Sequence, residues 1–356
     1  MTNELKTSDY DYELPPDLIA QYPAEPRDSS RLLVLNRADT SLTHRDSFVA
    51  ILDYIEPGDT LVVNESKVIP ARLFGHKATG GQIELLLLRP APDQLEIHGG
   101  AENSCWEVLV RPGRGTKVGA KLFFEGNGES LQAQVLGTSP SSGRYVLFER
   151  DPLPFLELYG QMPLPPYIHQ QPSDPNRYQT IYATEPGSAA APTAGLHFTP
   201  DLLAAIKAKG VTFEKVMLHV GLDTFRPVKE ENALHHEMHS EWCRLEAETA
   251  RRLNQTRARG GRIFAVGTTT VRTLETAFDH TNHQFQPFAG ETRLFLYPGK
   301  ELEAIDALIT NFHLPRSTLL MLVSAFAGRD LIIHAYHEAV RERYRFFSFG
   351  DAMLIL

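Results

Sequence analysis

From Thr199 to the last residue, the apolar spacing of this chain switches repeatedly between two periods. Thr199 stands before Pro200 and Asp201 as a helix N-cap, LLAAIKAK carries helical spacing, Gly210 ends it, and VTFEKVMLHV reads as a strand. EWCRLE, AETARRLNQTRARGG and RIFAVG repeat the scheme as strand, helix and strand. ALITN predicts a strand, STLLMLVSAFAG and RDLIIHAYHEAVRERY two helices, and DAMLIL a last strand. Strands that alternate with helices of this length predict an α/β fold with a largely parallel sheet flanked by helices.

The middle of the chain has a different texture. Residues 46–64 read as a short helix closed by Pro-Gly and then a strand, after which QIELLLL, CWEVLVRP, AKLFFEG, SLQAQVLG and GRYVLFE follow, separated by Gly, Pro, Asn and Ser. That pattern predicts short antiparallel strands in a small barrel or sandwich. The expected organisation is a discontinuous α/β domain, residues 1–60 and 151–356, with a barrel inserted at 61–150. The connector DPLPFLELYGQMPLPPYI is expected to be extended, because each X-Pro step disfavours helix.

A formal charge of -9 excludes a protein that coats nucleic acid non-specifically and leaves room for a local basic face. Cys105 and Cys243 stand far apart, so neither a disulfide framework nor a thiolate zinc site is predicted. The N-terminus reads without a signal peptide, and LLMLVSAFA is too short to span a bilayer, so a cytoplasmic location without membrane contact is expected.

Six stretches carry chemistry. FAVGTTTVRTLET, Phe264 to Thr276, runs a strand into Gly267, Thr268, Thr269 and Thr270 and then a helix, offering backbone amides to a carboxylate or phosphate. It matches neither GxGxxG nor a P-loop. LHHEMHSEW places His235, His236 and His239 close together, with His235 and His239 on one face if the segment is helical, but Ser240 breaks an HExxH ligand order and no metal is predicted. APTAGLHFTP presents Thr193, Gly195 and His197 ahead of a helix. HVGLDTFRPV presents His219, Asp223, Thr224 and Arg226 at the carboxyl end of a strand, where parallel sheets bind ligands. LITNFHLPRSTLL and YRFFSFGDAM add Asn311, His313, Arg345, Phe346, Phe347 and Asp351, aromatic rings beside cations that suit a cationic ligand or an unpaired base.

With IAQYPAEPRDSSRLLVL and GDTLVVNESKVIPARLFG, these motifs run nearly end to end in an order that closely resembles the S-adenosylmethionine:tRNA ribosyltransferase-isomerases of queuosine biosynthesis. One departure is Glu65-Ser66, where Asp or Asn followed by Thr is more usual. The resemblance implies a ribosyl transfer from S-adenosylmethionine, as co-substrate, to 7-aminomethyl-7-deazaguanine at the wobble position of a tRNA with a GUN anticodon, with adenine and methionine leaving. A monomer is the simplest expectation. His197, His219, Asp223, His236, His239 and Asp351 are then the candidate acids and bases. Thr193, Gly195, Gly267 to Thr270, Phe346 and Phe347 are the candidates for S-adenosylmethionine, and Arg226, Asn311, His313 and Arg345 for the tRNA base. The arginines at 251, 252, 257 and 259 and at 341, 343 and 345 are candidate phosphate contacts. Three rival readings are a histidine-metal hydrolase, a non-catalytic RNA-binding module and a conventional methyltransferase; the last would normally show a glycine-rich nucleotide loop that is missing here.

Overall fold

TLVVN, residues 60–64, is buried along its whole length, and its neighbours in sequence sort to opposite faces. Leu61 and Val63 pack with Phe264, Val266, Ile309 and Leu354 in one apolar cluster, whereas Val62 packs with Ile263, Ala265, Leu308 and Met353 in another. Successive strand side chains point to opposite sides, so a continuous apolar run requires cover on both faces. The computed structural model describes residues 4–139, 143–170, 174–221 and 227–356, and divides into two compact units.

In chain order the first strands are β1 (Leu32–Leu35), β2 (Leu42–Arg45) and β3 (Thr60–Asn64), with a 3-10 helix at Phe48–Asp53 whose N-cap Ser47 accepts from the Val49 amide. After β4 (Ser66–Val68) come β5 (Arg72–Lys77), β6 (Gln82–Pro90), helix α1 (Pro92–His98), β7 (Cys105–Arg111), β8 (Lys121–Gly126), β9 (Glu129–Thr138), β10 (Arg144–Phe148) and α2 (Leu153–Tyr159). Then follow β11 (Glu185–Ser188), α3 (Pro200–Ala208), β12 (Thr212–Leu218), β13 (Glu241–Leu245), α4 (Ala247–Ala258), β14 (Ile263–Val266) and α5 (Thr268–Thr276). The hairpin β15 (Phe278–Asp279) and β16 (Gln284–Phe285), β17 (Phe288–Thr292), β18 (Ala307–Asn311), α6 (Thr318–Ala327), α7 (Arg329–Arg341) and β19 (Ala352–Ile355) complete it.

The larger unit comprises Met1–Ser66, Pro166–Glu185 and Pro192–Leu356. Among the described residues its sheet has nine strands in the order β17-β13-β12-β3-β14-β18-β19-β1-β2. The sheet is mixed. β12, β3, β14 and β18 form a parallel block, and β19 runs parallel to β1 but antiparallel to β18. A single crossover helix returns the chain to the end of the sheet where the previous strand began, which keeps strands parallel. Between β18 and β19 the chain instead takes two helices, α6 and α7, bent 115° to each other, and re-enters from the opposite end. No single helix among the described residues is long and apolar enough to cross a membrane.

The second unit, Lys67–Pro165 with Pro186–Ala191, contains a closed antiparallel barrel in the order β10-β7-β6-β5-β8-β9. Leu85, Leu87, Val108, Leu122, Phe124, Leu131, Val135, Val146 and Phe148 fill its interior. Five of its strands are the five predicted. The sixth, β5, has a single large buried apolar residue, Leu73, and so carries little periodic signal. The connector after the barrel departs from expectation: Leu153–Tyr159 is helical. Pro152 and Pro154 fall at its start, where a missing amide hydrogen leaves no bond unmade.

Candidate active site

The parallel block brings four strand ends together, at Asn64, Leu218, Val266 and Asn311. Carboxyl ends of parallel strands are where α/β sheets present their ligand-binding loops. At the end of β14, Gly267 takes φ +85, a backbone region that a Cβ disfavours, and its amide donates to the Ile309 carbonyl at 2.8 Å. Helix α5 starts at the next residue with no side chain among the described residues capping it, so its first amides stand at a positive helix end. The three threonines divide. Thr270 Oγ1 donates back to the Val266 carbonyl at 2.7 Å and is wholly buried, whereas Thr269 Oγ1 accepts from Asn64 Nδ2 at 3.2 Å. Thr268 and Thr269 are each 6 % exposed.

Asn64 is the knot of this region. Its Nδ2 also donates to the Leu218 carbonyl at 2.9 Å, and its Oδ1 accepts from the amides of Leu218 and Ser66, each at 3.1 Å. The ends of β3 and β12 and the first turn of α5 are thus held by one buried side chain. Ser66, placed by that bond, sets its Oγ 2.9 Å from His219 Nδ1. His219 stacks on Trp242 with ring centroids 5.6 Å apart and planes 23° from parallel. Burial lowers its proton affinity, Glu185 opposes that and Arg244 adds to it. The imidazole is neutral near pH 7.

Next to it, Glu241 opens β13 as a buried carboxylate. Its Oε1 accepts from the Gly221 amide at 2.8 Å and lies 3.3 Å from His239 Nε2, while Oε2 meets the buried guanidinium of Arg272 from α5. Burial works against this charge, but Arg272, then His239 and the Gly221 amide, outweigh it and hold the carboxyl at about 2. Arg272 Nε also donates to the Leu294 carbonyl at 3.3 Å.

The helical face expected for His235 and His239 does not form. Asn232 caps a single 3-10 turn, Ala233–His235, and the chain then extends. His236 turns to Glu230, 3.0 Å away, and lies edge-on to Phe295. Among the described residues no three His, Cys, Asp or Glu side chains are grouped to share a metal ion.

The turn Thr193–His197 packs against the start of α5: a Cβ built on Gly267 would lie 3.7 Å from that of Ala194. Gly195 has no room for a side chain, because an added Cβ would overlap the Tyr182 hydroxyl. His197 is buried, with Nδ1 2.7 Å from Ser30 Oγ and its ring against Phe48; burial pulls its pKa to about 4, with Asp351 opposing. Asp351 organises the last turn, accepting from the amides of Arg31 at 3.1 Å and Arg345 at 2.8 Å and from Arg345 Nη2 at 3.0 Å. Asn311 Nδ2 donates to the Phe347 carbonyl at 2.9 Å.

The two adjacent phenylalanines separate. Phe346 is fully buried among Tyr12, Phe312 and Tyr336. Phe347, at φ +70, turns its ring to Tyr167, 4.8 Å between centroids, and Tyr167 Oη bonds Ser348 Oγ at 2.7 Å. His313 is buried with Nε2 2.8 Å from Thr310 Oγ1, and burial takes its pKa down to about 3.

The structure therefore gathers Gly267 to Thr269, Ala194, Gly195 and His219 at the strand ends, with His197, Asn311, Arg345, Phe347 and Asp351 in a bonded group beside the 193–197 turn. Phe346, His313 and Thr270 are occupied in packing or backbone bonds. Asp223, Thr224 and Arg226 lie outside the described residues. Asn64, Trp242 and Arg272 were not singled out from the sequence, Glu241 stood out only as a neighbour of the LHHEMHSEW histidines, and Ser66 only in the Glu65-Ser66 departure; the signal available was a polar pair, Asn64 and Ser66, at the end of an otherwise apolar strand.

Residues 7–355 match the family model described as "Queuosine biosynthesis protein". The chain is 56% identical over 356 residues to an S-adenosylmethionine:tRNA ribosyltransferase-isomerase of Moorella thermoacetica, covering 99% of this chain and 100% of that one. It is 52% identical over 355 residues to the protein of the same name from Symbiobacterium thermophilum, with the same coverage. Among solved structures, an S-adenosylmethionine tRNA ribosyltransferase from Thermotoga maritima matches with TM-score 0.54 and 44% identity, over 98% of this chain and 100% of that one.

Proposed function

Because the chain belongs to the S-adenosylmethionine:tRNA ribosyltransferase-isomerase family of queuosine biosynthesis, we propose that its strand-end site moves the ribosyl group of S-adenosylmethionine to the aminomethyl nitrogen of 7-aminomethyl-7-deazaguanine in tRNA. Adenine and methionine leave and epoxyqueuosine remains on the wobble nucleotide. The observation that carries this reading is the Asn64 knot, which sets an uncapped helix end and a neutral imidazole side by side.

The uncapped start of α5, with Thr268 and Thr269, receives the methionine carboxylate. The sulfonium acidifies the C5′ protons of its ribose, and His219 is the group placed to take one: Ser66 holds Nδ1, which directs Nε2 toward the substrate, and burial keeps the ring unprotonated. Ring opening expels adenine, and the neutral aminomethyl nitrogen attacks. Asp223, His236 and His239 are the further candidates for the proton that adenine requires, whereas His197 and Asp351 shape the turn that carries Arg345 and Phe347. Phe347 with Tyr167 forms the aromatic wall for adenine or the deazaguanine, with Asn311, Arg345 and Arg226 as edge contacts. A wobble base in a single-stranded loop is splayed out for reading without opening a duplex. The protein acts as a cytoplasmic monomer on tRNAs with a GUN anticodon.

The test is incubation with S-adenosylmethionine and tRNA carrying the aminomethyl base. Release of adenine and free methionine is expected. S-adenosylhomocysteine as product, or tRNA binding without turnover of S-adenosylmethionine, overturns the proposal.

A further inference from the structure

An acidic chain of net charge -9 binds a polyanion only where cations stand clear of carboxylates. The densest basic stretches of the larger unit fail that condition. On α4, Arg251 bonds Glu248 and Arg252 bonds Glu214 and Glu248; beyond it Arg262 bonds Asp59. Arg257 is spent on the Glu303 carbonyl and the rings of Phe278 and Phe285, leaving Arg259. At the end of α7, Arg341 pairs with Glu338, Arg343 with Asp17 and Arg345 with Asp351. Neutralised guanidinium groups release no counterions from a phosphate backbone.

The barrel unit meets the condition. Between Glu107 and Glu125 the chain has no acidic residue and carries Arg111, Arg114, Lys117 and Lys121. All four are exposed, and among the described residues none lies within ion-pair distance of a carboxylate. The loop between β7 and β8 that holds them is braced. Thr116 is buried with Oγ1 donating to the Gly113 carbonyl at 2.8 Å, and the Gly119 amide donates to the Val135 carbonyl at 2.8 Å. Arg144 Nε donates to the Thr116 carbonyl at 3.2 Å and Lys77 Nζ to that of Arg114 at 3.3 Å. The cations are thus mounted on a backbone that needs little ordering on contact.

Lys77 joins this loop to a second feature on the outer face of β5 and β8. The rings of His76 and Phe123 stack, 5.5 Å apart and 16° from parallel, beside Phe74, which is 52% exposed. Of the acids nearby, Glu84 on the adjacent β6 pairs with Arg72, and Glu125 on β8 faces His76 at 3.6 Å.

We propose that the Arg111–Lys121 loop of the barrel, with the Phe74, His76 and Phe123 shelf, is the surface that grips the sugar-phosphate backbone of the RNA substrate. This deepens the function proposed above and rests on tRNA being that substrate. The loop supplies charge and the shelf a stacking platform, the two components of sequence-tolerant RNA contact.

The test is a full-length variant with Arg111→Gln, Arg114→Gln, Lys117→Gln and Lys121→Gln, assayed for KM and for direct tRNA binding as salt is raised from about 50 to about 200 mM. Loss of four phosphate contacts lowers the slope of log affinity against log salt by about 3 and raises the tRNA KM about tenfold or more, with the KM for S-adenosylmethionine unmoved. Arg251→Gln with Arg341→Gln, the control pair, leaves the slope at the wild-type value. A quadruple variant whose salt slope and tRNA KM equal those of an active wild type overturns the inference. Wild type that binds tRNA without turnover sinks the enzymatic reading instead, and the binding slopes still decide the loop.

Discussion

Glu275, near the end of α5, gives the sharpest test of the electrostatics. Its Oε1 accepts from the Ala304 amide at 2.8 Å, and Oε2 has no hydrogen-bond partner among the described residues. Burial raises its pKa from 4.5 to about 7. The charged groups around it are Arg257 from α4, Glu303 from the segment before β18, and His280 beyond β15, whose Nε2 is 3.7 Å from Oε2. A carboxyl whose pKa rises on folding stabilises the folded state fully below its unfolded value and loses that contribution as pH climbs through the folded one. The span from 4.5 to about 7 corresponds to about 3 kcal/mol, which the folded chain forgoes by about pH 8.5. Glu275→Gln keeps the oxygen that accepts from Ala304 and cannot ionise. Unfolding free energy measured by denaturant titration across this pH range is expected to show the variant close to wild type near pH 4.5 and more stable above pH 7. A difference that does not change with pH would refute the reasoning.

Three further outcomes follow from the site. Arg272→Met strands the buried Glu241 carboxylate and is expected to destabilise the protein by about 3 kcal/mol or more, much of it restored by adding Glu241→Gln; denaturant titration decides, and equal loss in single and double variants contradicts the pairing. Because Glu241 titrates at about 2 instead of 4.5, its contribution is present above pH 4.5 and fades as pH falls through 2, so the Gln variant has a flatter acid limb. For His219, kcat/KM is expected to rise with pH through an apparent pKa below the ordinary imidazole value and then level; a profile unaltered in His219→Gln excludes it as the proton acceptor.

The elements were legible where periodicity is strong. Leu61 to Val63, Ile263 to Val266 and Ala307 to Ile309 have the unbroken apolar character of doubly covered strands, and Thr199 caps its helix as its position predicts. Strand order was not legible, since no local pattern tells β19 to enter between β18 and β1. Side-chain destination was also hidden. Phe346 and Phe347 are identical neighbours and both buried, yet with a positive φ at Phe347 one ring packs on Phe312 and the other turns toward Tyr167. The histidines of LHHEMHSEW looked clustered because they are close in sequence, but the backbone extends after His235 and turns His236 to Glu230 and Phe295 and His239 to Glu241. Asn64 escaped notice because its importance lies in four hydrogen bonds to segments 150 or more positions away or just beyond it, which spacing does not record.

The position of β19 has a consequence for biosynthesis. It is the splice between a block of six strands and the β1-β2 hairpin, so neither part can join the other while Ala352–Ile355 is still inside the ribosome. The barrel strands, complete by Phe148, are free to close long before. Removal of Ala352–Ile355 would leave the hairpin without the only strand that pairs with it from outside among the described residues, and would part it from the six-strand block.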